Sequence, residues 1–209
     1  ELPSLAELKP EHLNSVMFWF RRAHVYLAAH EFPAYLKVME WNFPEENKFF
    51  ANRICVMGEW AKELEKLEHG EYDLLGLSAP PRSGKTGIGT LFLTWLMGRH
   101  PEKSMLFATH TGRMARKEYM DIYNLITDPR RCWNEIFRGM EISKSAEDLW
   151  IDVSPKKSPN TYRTMYCTSI DASKAGVMEA SHLIYCDDLI GGIEEAMNRE
   201  QMDKLWNTV

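Results

Sequence analysis

The chain has 209 residues, 44% of them hydrophobic and 26% charged, with a formal net charge of -5. That length and composition suit one substantial core and argue against disorder. The acidic balance excludes a domain that binds nucleic acid by overall charge alone, so any such contact needs a local basic patch or a partner domain.

Cysteine and histidine usage narrows the chemistry further. Cys55, Cys132, Cys167 and Cys186 form no CxxC pair, and the seven histidines form no HExxH pattern, which argues against a zinc ribbon, a redox motif or a zinc protease. Reduced thiols are expected. No apolar run approaches the roughly 20 residues of a membrane span; Val16 to Tyr26, for example, is interrupted by Arg21 and Arg22. The first residues lack the basic start and apolar stretch of a signal peptide. A soluble protein is expected.

The N-terminal third reads as helical. Leu5, Leu8, Leu13, Val16, Met17 and Phe20 recur at helical spacing behind Ser4 as N-cap, and the pattern continues to His30 before Pro33. Phe18, Trp19 and Phe20 cannot all face one core, so a contact to another domain or subunit is one reading of them. A second helix is expected from about Glu46 to His69, stopped by Gly70. Asp73 to Ser78 is a short apolar run ahead of Pro80-Pro81 and reads as a buried strand. Gly87 to Gly98 reads as a buried helix carrying Phe92 and Trp95. Lys103 to Thr109 follows as a core strand, and Arg113 to Ile126 as a helix closed by Asp128-Pro129.

From Leu149 the texture turns to β. Leu149 to Val153 and Tyr162 to Thr168 are candidate partners in a hairpin, and His182 to Cys186 is a third core strand ending in Asp187-Asp188. Ile193 to Trp206 reads as an amphipathic helix. Alternating strands and helices predict an α/β fold with a mainly parallel central sheet flanked by helices. Residues 1–45 are expected as a helical segment and 46–209 as one domain.

The densest chemical signal is Ala79-Pro80-Pro81-Arg82-Ser83-Gly84-Lys85-Thr86, between the expected strand and helix. Backbone N–H groups of such a loop and the positive end of the next helix hold phosphate. Lys85 is expected to reach β- and γ-phosphates, and the Thr86 hydroxyl to sit on Mg²⁺. Ala79 replaces the usual first glycine of GxxxxGK[ST]. Arg82 can reach a γ-phosphate and stabilise charge developing in transfer; an exposed loop arginine is the plain alternative. Asp187, at the end of an apolar strand 102 positions after Lys85 (187 minus 85), is the candidate Mg²⁺-side carboxylate. Asp188 beside it is the candidate for polarising an attacking water, and a turn or cap is the alternative for the pair.

Taken together, these segments resemble the large terminase subunits of tailed bacteriophages. Pro80 to Thr86 is similar to their variant Walker A, and Asp187-Asp188-Leu189-Ile190 with Glu194-Glu195-Ala196 and Trp206 to their Walker B region. His69-Gly70-Glu71, Trp95 to Pro101 and Ala108 to Thr111 agree in order, over roughly residues 45 to 209. The resemblance implies a P-loop NTPase of the additional-strand, catalytic-glutamate type that uses ATP and Mg²⁺ to drive double-stranded DNA into a prohead in the host cytoplasm. It implies Lys85, Arg82 and Asp188 as catalytic residues, Ala79 to Thr86 on nucleotide, and Thr86 with Asp187 on the metal. Asp188 stands where many relatives carry glutamate, one methylene longer. A portal protein, a small terminase subunit and further copies in a ring are the implied partners, with Arg130, Arg131, Arg138 and Arg163 as candidates for an arginine reaching a neighbour's nucleotide. A coupling motif and an RNase H-like nuclease would follow Val209. The alternatives are a helicase-like remodeller, a small-molecule kinase, or a module that binds nucleotide without turnover.

Overall fold

In a computed structural model of the chain, residues 10–155, 162–170, 180–190 and 200 are described. Helices α1 (Pro10–His30), α2 (Phe32–Val38), α3 (Ile54–Glu68), α4 (Lys85–Arg99), α5 (Gly112–Thr127) and α6 (Trp133–Ile136) are joined by strands β1 (Met105–Thr109), β2 (Met140–Ser145), β3 (Trp150–Pro155), β4 (Met165–Ser169) and β5 (Leu183–Cys186). The chain divides into two compact units: Glu1–Ala79 with Asp128–Arg138, and Pro80–Thr127 with Gly139–Val209. No helix among the described residues is long and apolar enough to cross a membrane.

The first unit is helical. α1 packs on α2 and α6, and α2 on α3, around the fully buried Phe32, Tyr35, Leu36, Met57 and Trp133. Pro33 opens α2 instead of merely ending α1, because the first turn of a helix has no use for the missing N–H. A buried carboxylate, Glu40, and a half-buried one, Glu65, tie the corners. Glu40 accepts the backbone N–H of Phe49 and of Phe50, and Glu65 accepts that of Phe32 at 2.7 Å. α3 starts later than expected, after single 3-10 turns at Glu45–Asn47 and Ala51–Arg53, and it ends just before Gly70. Phe18, Trp19 and Phe20 lie half-exposed or more on α1.

The expected strand at Asp73 to Ser78 is absent. These residues form no ladder, and Leu74 is 85% exposed. A strand exists only by pairing its N–H and C=O groups with a neighbour. Apolar composition marks a run but supplies no partner, and Gly76 with the following Pro80-Pro81 weakens any strand there.

The second unit is an α/β layer structure with an open five-stranded sheet in the order β2-β3-β4-β1-β5. β1 runs parallel to β4 and β5, whereas β2–β3 and β3–β4 are antiparallel. The sheet is therefore mixed, where a mainly parallel one was expected. The reason is local: a short turn at residues 146–149, with Leu149 at φ 55, returns β3 directly beside β2. The expected antiparallel pairing of the segments around Trp150 and Tyr166 is present. α4 is buried all round from Ile88 to Gly98, including Phe92 and Trp95, with Thr90 and Thr94 its buried hydroxyls. α5 lies on β4, β1 and α4. Apart from Glu200, which is helical, the helix expected over Ile193 to Trp206 falls outside the described residues, as does Ser4.

Candidate active site

Residues Pro80 to Ser83 form a turn in which the Ser83 N–H donates to the Pro80 carbonyl at 3.3 Å. Arg82 takes a left-handed backbone, φ 62, and Gly84 follows at φ 99. Glycine adopts that conformation freely, while arginine there costs about 1 kcal/mol. The turn delivers the chain into α4, a 15-residue helix that has no side-chain cap at its start. Backbone N–H groups of a first helical turn have no intrahelical acceptor. Together with the helix dipole, such groups favour negative charge at a helix start. Ser83 Oγ is buried there without a hydrogen-bond partner. Ala79 ends the first stretch of the other unit.

Opposite this turn stands the end of β5. The Asp187 N–H donates to the Ala108 carbonyl and the His110 N–H to the Asp188 carbonyl, so both aspartates extend the parallel pairing of β5 with β1. The Thr86 hydroxyl donates to Asp187 Oδ2 at 2.9 Å, and Lys85 Nζ lies 3.2 Å from Asp187 Oδ1. Asp187 is buried, and Asp188 is exposed with its Oδ1 3.8 Å from the same ammonium. Asp188 also has a left-handed backbone, φ 47. Strained non-glycine residues concentrate where a side chain must be aimed. Here one sits at each lip, Arg82 and Asp188.

Behind these residues lies a second polar group that the sequence analysis did not single out. Thr90 Oγ1 is 2.8 Å from the Thr86 carbonyl and 2.6 Å from Glu118 Oε1 on α5. Burial pushes the Glu118 carboxyl up to about 7; Asp121 and Asp187 add to the rise, and Thr90 and Lys117 oppose it. Burial, with Asp187 and Glu118 nearby, likewise raises the Tyr185 phenol. No residue pattern flags Glu118, because a glutamate on a helix with Lys117 beside it reads as a solvated face.

The raised Glu118 predicts a pH dependence. Between about pH 4.5 and 7 the folded state keeps a proton that the unfolded state has released. Stability contributed by the neutral acid is therefore complete below about 4.5 and is lost as pH rises through 7. The slope is up to about 1.4 kcal/mol per pH unit, on the order of 3 kcal/mol in total. Urea unfolding at pH 5 and 7 should show a flatter profile for Glu118→Gln than for the parent. Parallel profiles would remove Glu118 as the source.

Among the described residues no group of three or more His, Cys, Asp or Glu could hold a metal ion by itself. A cation here would need Thr86 and Asp187 plus oxygens brought by a ligand. The four candidate arginines are engaged within their own units. Arg130 pairs with Asp128 at 2.8 Å, Arg131 stacks on Phe43 half-buried, and the Arg138 Nε–H donates to the Glu135 carbonyl. Arg163 lies over Trp150 and 3.7 Å from Asp152.

The class that fold and site define is an α/β protein in which the uncapped start of a helix carries Lys85 and Thr86 against a buried aspartate at the end of β5. Comparison of the sequence with protein-family models and with curated proteins gives no match.

Proposed function

We propose that this chain is an ATP-hydrolysing P-loop domain, and specifically the ATPase part of a viral DNA-packaging motor of the large terminase type. The observation that carries the nucleotide reading is the convergence of Lys85 and Thr86 on Asp187, residues 101 and 102 positions apart in sequence (187 minus 86 and 187 minus 85). The uncapped α4 terminus, Gly84 at φ 99 and the orphaned Ser83 hydroxyl fit a polyphosphate. The choice of a packaging motor over other P-loop proteins rests on the ordered resemblance of Pro80 to Thr86, Ala108 to Thr111 and Asp187 to Ile190.

In this reading Lys85 leaves the Asp187 carboxylate to donate to β- and γ-phosphate oxygens. Thr86 and Asp187 would hold Mg²⁺, whose charge would offset the negative charge developing on those oxygens. Asp188, exposed and beside the same lysine, orients a water and accepts its proton. Arg82, in the same loop, would stabilise charge on the terminal phosphate. Double-stranded DNA, a portal protein and a small terminase subunit are the partners, in a ring of like subunits.

The test is phosphate release from Mg²⁺-ATP together with binding of a fluorescent ATP analogue, with and without double-stranded DNA. Asp188→Asn should keep analogue affinity within a few-fold and slow hydrolysis by about 10²-fold or more. Equal loss of both would demote Asp188 to a structural role. Phosphate appearing only on an added acceptor would replace the ATPase by a kinase.

A further inference from the structure

Thr90 occupies an ordinary place for a helical threonine, with its hydroxyl against the carbonyl four residues earlier. That carbonyl belongs to Thr86. The same hydroxyl oxygen is also 2.6 Å from Glu118 Oε1. A hydroxyl has one proton, and a carbonyl and an ionised carboxylate are both pure acceptors. Both short contacts are hydrogen bonds only if the carboxyl brings the second proton, donating to Thr90 Oγ1 while Thr90 donates to Thr86. Glu118 is 4% exposed, so water does not supply a substitute.

The relay ends on a residue with a second duty. The Thr86 backbone is gripped from behind by Thr90, while its hydroxyl faces Asp187 in front. We propose that Glu118, as a neutral acid acting through Thr90, is a positioning residue that fixes the Thr86 hydroxyl for a nucleotide-bound divalent cation. The inference rests on the nucleotide-site reading above and adds α5 to the elements that set the metal geometry.

The measurement is affinity of the chain for the fluorescent ATP analogue, in EDTA and across a Mg²⁺ titration, alongside thermal melting. Glu118→Ala and Thr90→Val should each raise the Mg²⁺ needed for half-effect by about five- to tenfold, the worth of one buried hydrogen bond. Affinity in EDTA should stay within twofold. The double variant should be no worse than the weaker single variant, since both cut one relay. Glu118→Gln carries a neutral donor of the same size and should restore the parent Mg²⁺ response, and it keeps the test open if Glu118→Ala does not fold. Glu118→Gln behaving like Glu118→Ala would overturn the proposal, as would equal losses in Mg²⁺ and in EDTA or no change in either. Lys85→Ala is the control for the underlying reading. If it leaves analogue binding intact, the site itself is misassigned; if it abolishes binding while the Glu118 variants respond as a purely structural pair, only the relay falls.

Discussion

Lys85→Ala is expected to lower affinity for ATP at least tenfold and hydrolysis by about 10²- to 10³-fold, while leaving the fold nearly as stable. The first effect follows from losing a charge-assisted hydrogen bond to phosphate, worth about 1.5–3 kcal/mol. The second follows from losing a fixed positive charge where negative charge develops. The third is a matter of magnitude. Lys85 is about one-third exposed, so solvent screens the pair, and the buried Asp187 keeps the Thr86 hydroxyl, so the loss is expected at about 1–2 kcal/mol, below the roughly 3–5 kcal/mol of a fully buried pair. Calorimetry of nucleotide binding with a parallel thermal melt separates the two. A variant that binds ATP like the parent removes the phosphate site from this loop. A variant that unfolds shows instead that Lys85 is structural.

Gly89→Ala should do the reverse and act through the fold. A Cβ at Gly89 would lie 2.0 Å from the Tyr185 hydroxyl oxygen, 2.6 Å from its Cζ and 3.0 Å from Cε2. The ring has little freedom to withdraw, since it stacks on Phe107 at 5.7 Å. Alanine gains about 1 kcal/mol of helix propensity over glycine. The forced shift of a well-packed ring costs about 1–3 kcal/mol. The net is a loss, or at best a draw, in stability. The larger effect falls on function: Tyr185 is two residues before Asp187 on β5, so pushing the strand from α4 also separates Asp187 from Thr86. Nucleotide affinity should therefore fall about tenfold or more. Tyr185→Leu in the same background shortens the clashing group and should recover part of it. A Gly89→Ala protein that melts higher and binds ATP normally would show that α4 and β5 are not held at this spacing.

What the sequence made legible depended on how local each signal was. α4, β1 and β5 announce themselves as apolar runs of the right length beside turn or motif residues, and α5 as an amphipathic period. β2 was missed because Met140–Ser145 is half exposed and carries Glu141 and Lys144, as a sheet-edge strand can. α6 was missed because four residues hold too little pattern. Asp73 to Ser78 shows the opposite case, with hydrophobicity present and no ladder partner among the described residues. Placing Asp187 within reach of Lys85 needed the order of motifs along the chain, because no spacing rule spans 102 residues. Glu118 meeting Thr90 was illegible, since it depends on the rotation of one helix against another.

The left-handed backbone at Asp188 bears on which residues the position can accept. At φ 47 every residue with a Cβ is crowded, but aspartate and asparagine offset part of that cost through local hydrogen bonds of their short side chains, whereas glutamate does so less well and a β-branched residue is crowded further. The shorter acid at the tip of β5 thus suits the main chain it sits on. Asp188→Asn keeps that conformational preference, and so isolates the charge. Asp188→Glu, which looks the milder exchange on paper, disturbs the peptide on which both aspartates hang.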